Sequence, residues 1–251
     1  MGSRRLLIVL SLAVASVLPL ATNANGSVSE IPEHEFYFTR GIYGGDFGSA
    51  DWGPRWAVDY PKADQQFLVA LHRLTLVDAF DSEHAMPLGE PALRDFPFLY
   101  VLEVGSLSLG DADAKALREY LLAGGFMVVD DFWGSWAWEN FETQMQRVFP
   151  GRPIVEVPLE HPVFHAFYDV TEIIQVPNVH QAGTGRTWEQ DGRVPHVRGI
   201  FDDEGRLMVV VNWNTDIGDA WEWADLPSYP LRYSNYALKM GINFIVYAMT
   251  Y

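Results

Sequence analysis

The stretch GGFMVVDDFWG, residues 124–134, decides the fold. Gly124 and Gly125 stop a helical pattern, and Phe126 to Val129 then form a continuous apolar run of strand length. A run that is apolar on both faces belongs in a parallel sheet covered on both sides. This one leads into two like charges, Asp130 and Asp131, followed by an aromatic turn. Something at that strand end must use or neutralise them.

The same alternation extends outward. Upstream, SLGDADAKALREYLLAGG reads as a helix, with Ser108 and Asp111 as an S-x-x-D start and Ala114, Leu117 and Leu121 on one face. Before it, FPFLYVLEVG is another apolar strand, and DYPKADQQFLVALHRLTLVDA places Phe67, Leu68, Leu71, Leu74 and Leu76 near helical spacing. Residues 35–40 read as the first strand, ending at Arg40. Downstream, residues 138–149 form a helix closed by Pro150, and PIVEVPL and EIIQVPN read as short strands. HVRGIFDDEGRLMVVVNWN reads as a hairpin turning at Asp203–Gly205, and a helix over residues 234–249 ends the domain. Strands alternating with helices give one α/β domain over residues 35–251, a doubly wound, mostly parallel sheet with a C-terminal hairpin and helix.

In such sheets ligands bind beyond the carboxyl ends of the strands. Asp130 and Asp131 lie at such an end, as do Arg40, Glu103, Asn212 and Asn214. The plain expectation is that one aspartate caps a helix and the other pairs with Arg40, whose guanidinium fork matches a carboxylate. The functional expectation is that Asp131, one residue further into the turn, faces a cleft. Eight of the nine tryptophans lie in connections leaving these strand ends: Trp52, Trp56, Trp133, Trp136, Trp138, Trp213, Trp221 and Trp223. Rings beside carboxylates suit a sugar-like ligand, although long loops also use tryptophan to build small cores of their own.

Composition narrows the function. Arg4 and Arg5, an apolar run from Leu6 to Leu20 and small residues up to Ala24 follow the plan of an export signal over residues 1–24, with residues 25–34 a short leading segment. The rest is expected to be secreted or periplasmic and to lack a membrane span. The chain has 17 basic and 33 acidic residues; without Arg4 and Arg5 the count is 15 against 33, a net charge of −18. Such a surface repels nucleic acid. With no cysteine, neither a thiol nucleophile nor a disulfide scaffold is available.

RGIYGGDFG with DYPKAD, FPFLYV, LREYLLAGGFMVVDDFWG, VFP, HPVF and NWNTDIGDAWEWAD together resemble the bacterial domain-of-unknown-function family 4159, from about Phe36 to Tyr251. The resemblance implies a flavodoxin-like sheet of the class I glutamine amidotransferase type, with no reaction to carry over. Amidotransferases of that fold place a cysteine on the turn after a comparable strand. Here the turn holds Asp130, Asp131 and Phe132, which excludes thiol acyl transfer. No Gly-x-Ser-x-Gly elbow replaces it, and Ser135 lies beyond the turn.

Other motifs are weaker. His161 and His165 in HPVFH are four apart, but Pro162 intervenes, so His161 is expected to cap a short helix and His165 to pack. NTDIGD is rich in oxygen donors, yet Asp216 and Asp219 lack the spacing of a calcium loop. GIYGGDFG has no Lys-Ser/Thr after its glycines. Neither a metal nor a cofactor is expected. The reading is a non-catalytic domain that binds a small polar or carbohydrate-like ligand, or an envelope protein. Its site candidates are Arg40, Tyr43, Asp59, Glu103, Asp130, Asp131, Trp133, Asn212, Asn214, Asp219 and Trp221. The alternative is a glycosidase-like hydrolase pairing Asp131 with Asp59, Glu103 or Asp219.

Overall fold

The computed structural model describes residues 34–45 and 53–251. The expected export signal and Trp52 lie outside the described residues. Seven strands form one sheet in the order β2-β1-β3-β4-β7-β6-β5. These are β1 Thr39–Ile42, β2 His84–Pro87, β3 Phe98–Leu102, β4 Phe126–Asp130, β5 Val155–Glu156, β6 His196–Phe201 and β7 Leu207–Trp213. Strands β2, β1, β3, β4 and β7 are parallel; β6 and β5 add an antiparallel edge. The first four strands and β7 thus follow the 2-1-3-4-5 order of flavodoxin-like sheets. As the sequence implies, β1, β3, β4 and β7 are neighbours with their carboxyl ends on one edge.

Side-chain alternation explains the two layers. Phe98, Tyr100 and Leu102 of β3, with Phe126 and Val128 of β4, point to one face. That face packs against α1 Lys62–Leu74, α4 Ile217–Glu222 and α5 Leu231–Thr250. Leu99, Val101, Met127 and Val129 point the other way, towards α2 Asp111–Leu122 and α3 Gly134–Val148. Among the described residues, no helix is long and apolar enough to cross a membrane.

Several local expectations are corrected. The first strand begins at Thr39, so Arg40 is inside it, and β2 is an edge strand that the sequence reading missed. EIIQVPN is not a strand: the Val176 amide donates to Thr215 Oγ1 at 3.0 Å, and its carbonyl accepts from Asp216 N at 3.1 Å. Those two bonds to the segment beyond β7 occupy Val176 without building a ladder. Leu76 lies beyond α1 and is exposed. Helix α2 starts at Asp111, and the Asp113 carboxylate accepts from Gly110 N at 3.2 Å, in place of a Ser108 cap. His161 does cap a short 3-10 helix, Pro162–Phe164, by accepting from Val163 N. His165 does not pack; it is exposed and hydrogen-bonds Asp169 and the Leu159 carbonyl.

Helices α5 and α1 and Trp221 meet at Gly241. A Cβ there would lie 2.5 Å from Phe67 Cε2 and 2.8 Å from Trp221 Cζ2. Gly241→Ala is therefore expected to destabilise the chain by about 1–3 kcal/mol, because both rings are locked in the core. Thermal denaturation of the variant measures this directly.

Candidate functional site

The carboxyl ends of β1, β3, β4 and β7 open onto a cavity of about 580 Å³. Each strand's exit contributes a wall. Arg55, Val58 and Asp59 follow β1; Glu103, Gly105 and Ser106 follow β3. Asp131, Trp133 and Trp136 follow β4; Asp216, Asp219, Glu222 and Trp223 follow β7. The long connection between β5 and β6 closes the remaining side with Asn178, His180, Glu189 and Gln190. The β1/β3 boundary is where connections diverge to opposite faces, the usual ligand position in this topology.

The exits turn sharply, and non-glycine residues make the turns. Asp59, Glu103, Asp131 and Asn214 have φ of 60°, 53°, 45° and 61°. Left-handed backbone at side-chain-bearing residues costs energy and clusters at functional sites. It separates the two adjacent aspartates. Asp130, still in the strand, points beneath α4, where Oδ2 accepts from Tyr100 Oη at 2.8 Å and from the Ile217 and Gly218 amides at 3.0 Å. Asp131 faces the cavity, with Oδ1 accepting from Trp133 Nε1 at 3.0 Å.

The Arg40 expectation is overturned. Its Nε donates to Asp64 Oδ2 at 3.0 Å and its Nη2 to Asp64 Oδ1, so its partner is the first-turn acid of α1 and not Asp130 or Asp131. Both members are fully buried. Burial opposes the guanidinium charge, but Asp64 more than offsets this and holds Arg40 above its ordinary value. Nη1 also donates to the Val58 carbonyl at 3.0 Å, immediately before Asp59. Arg40 therefore holds the loop that carries a cavity acid without lining the cavity.

Other candidates serve similarly from outside the cavity. The Tyr43 hydroxyl donates to the Leu102 and Glu103 carbonyls at 2.8 and 3.0 Å, fixing the β3 exit. Asn214 Oδ1 accepts from Gly134 N at 2.9 Å and Nδ2 donates to the Val194 carbonyl at 2.8 Å, tying α3 to the long connection. Asn212 is buried in β7. Trp221 belongs to the core, its ring 4.6 Å from Phe67 and 5.3 Å from Tyr100. Trp138 and Trp213 contact each other, and Arg198 lies against both rings. Only Trp133, Trp136 and Trp223 of the described tryptophans line the cavity. Arg55, Glu189 and Glu222 line it too and went unnoticed, because their places depend on loop paths and not on strand ends.

Electrostatically the cavity is an acid cluster. Burial, then the charges of Asp219 and Glu222, push the Asp59 carboxyl well above its ordinary range. Burial, then Glu103 and Asp59, do the same to Asp131; burial, then Asp131 and Asp219, to Asp216. Asp130 is raised to about 7 by burial, even though the Tyr100 hydroxyl and the backbone amides of Gly218, Asp131 and Ile217 pull it down. Glu103 has a partner, Arg55 Nη1 at 3.1 Å. Such a cavity can hold a cation, a hydroxyl-rich ligand or shared protons.

The family described as "Domain of unknown function (DUF4159)" matches residues 43–249, and the chain belongs to it. No curated protein matches the chain.

Proposed function

We propose that this member of the DUF4159 family is an exported binding domain that takes a small polar, carbohydrate-like ligand in the strand-end cavity. One observation carries the reading: the exposed Trp136 stands with Trp133 and Trp223 at a cavity that seven carboxylates help to line. Indole faces stack on sugar rings while carboxylates accept from hydroxyls. Export rests on the N-terminal arginines and apolar run. The test is a thermal-shift screen of the purified protein against glycans and peptidoglycan fragments, since a ligand of the folded state raises Tm with occupancy.

Two variants sharpen it. Trp136 is 64% exposed, so Trp136→Ala should leave Tm unchanged and weaken binding by roughly 2- to 10-fold through lost stacking. Asp131 has no arginine partner, and an amide oxygen can still accept from the Trp133 indole. Asp131→Asn should therefore keep or raise Tm and weaken the ligand by about tenfold or more. A lower Tm with unchanged affinity would make Asp131 structural and sink this reading of it.

A second reading draws on Glu103, the largest charge influence on Asp131. Two such acids are the equipment of a glycosidase. Sugar release by the wild type but not by Asp131→Asn would replace binding with hydrolysis.

A further inference from the structure

Asp59, Asp131 and Asp216 come from three different strand exits, and each offers a carboxylate oxygen within 4.8 Å of the other two. Ionising three acids so close, in a largely buried place, is costly unless a counter-charge sits among them. The chain supplies only the charge of Arg40, which acts on Asp59. Arg40 is committed to Asp64, and Arg55 is paired with Glu103. No positive group is among the main influences on Asp131 or Asp216.

A second observation concerns hydrogen bonding. Asp131 Oδ1 accepts from the Trp133 indole and Asp216 Oδ1 from the Asp219 amide, which orients both carboxylates. Asp59 Oδ2, in contrast, is shielded from solvent and has no hydrogen-bond partner at all. A solvent-shielded carboxylate oxygen without a donor calls for an explanation, and a bound ion is a standard one; among the described residues Asp130 Oδ1 is the other, but it lies outside the cavity lining. Asp59 is also common to the second acid group, with Asp219 and Glu222. There, however, both Asp219 oxygens are already occupied, by Val179 N and Trp223 Nε1. The first triad has the free oxygens.

From this we infer that Asp59, Asp131 and Asp216 bind a hard divalent cation of the magnesium, manganese or calcium kind at the floor of the cavity. The donors are all oxygen, which selects these ions over zinc or copper. Three carboxylates leave coordination positions for water or for hydroxyls of a ligand on the cavity side. Sequence spacing could not show the site, because the donors are 72 and 85 residues apart and meet only through strand order. The inference rests on the cavity being the binding site proposed above, and it gives that site a cofactor.

The probe is the metal alone, so the cation and the sugar-like ligand can fail separately. Protein stripped with EDTA is melted in MgCl2, MnCl2 or CaCl2 and titrated with Tb3+, exciting tryptophan. The Trp133 indole, hydrogen-bonded to Asp131, is placed to sensitise bound terbium. A cation at a hundredfold excess over its Kd should raise Tm by about 5–10 °C. Terbium luminescence should appear and be displaced by that cation. Asp216→Asn and Asp59→Asn should abolish both signals while the metal-free variants melt at or above the wild-type temperature. Asp111→Asn, at an exposed acid outside the cavity, should keep both. If Asp59→Asn does not fold, Asp216→Asn decides alone. No shift with any of the three cations, or a shift that survives Asp216→Asn, overturns the inference. Glycan binding to metal-free protein alongside that negative result would leave the ligand reading standing.

Discussion

Arg40→Ala is expected to cost about 3–5 kcal/mol and to lower the melting temperature by roughly 10 °C. The reason is the pair it breaks. Both side chains are fully buried, and the guanidinium makes a two-pronged contact with Asp64. Removing one member leaves a carboxylate without its charge partner in the core, which is far more costly than losing a surface pair. Asp64→Ala should cost as much, and the double variant Arg40→Met, Asp64→Leu should recover a large part of the loss. If Asp64→Ala were harmless while Arg40→Ala was severe, the partner would have to be another acid. Because Arg40 also holds the Val58 carbonyl, the single variant should loosen the loop that positions Asp59.

The metal-free protein should melt at a lower temperature at pH 8 than at pH 5. The sign follows from the carboxylates. Asp59, Asp130, Asp131 and Asp216 all lie above their ordinary values, so the folded chain keeps protons that the unfolded chain has released. Stability from such groups is complete below the unfolded value, near pH 4, and is lost as pH rises through the folded one. For Asp130, raised to about 7 and fully buried, the loss between pH 5 and pH 8 is roughly 2–3 kcal/mol. Asp130→Asn should flatten the profile, since the amide oxygen can take the same three donors. Melting curves in EDTA across this range measure it; greater stability at pH 8 would mean that these acids are ionised and compensated.

The parts of the fold that could be read in the sequence were those set by periodicity. FMVVD, FLYVL and LMVVV are apolar on both faces because both faces are covered, so their parallel pairing followed from composition. The edge strand β2, HAMP, carries no such signal: its residues are half-buried or exposed. EIIQVPN has strand-like residues, but the Thr215 hydroxyl and the Asp216 amide take the amide and carbonyl of Val176. In the site, strand ends located Glu103 and Asp131, and Asp59 and Asp219 were found in the connections beyond. Arg40 was assigned the wrong acid because Asp64 lies in a helix whose pattern marks apolar residues as buried and says nothing of a buried charge. Trp221 looked like a rim residue, but α4 turns it inward onto Phe67.

The left-handed corners at Asp59, Glu103 and Asp131 set heat resistance against function. Glycine adopts that backbone without steric penalty, whereas an L side chain gives up roughly 1–2 kcal/mol of contact energy at each, more than glycine's extra entropy cost of about 0.5–1 kcal/mol. A lineage or a laboratory library selected only to survive heating would drift towards glycine at these three positions. Each step would harden the scaffold and delete one acid from the cavity wall. The most thermostable descendants of this chain would then be those with the least left of its cavity chemistry.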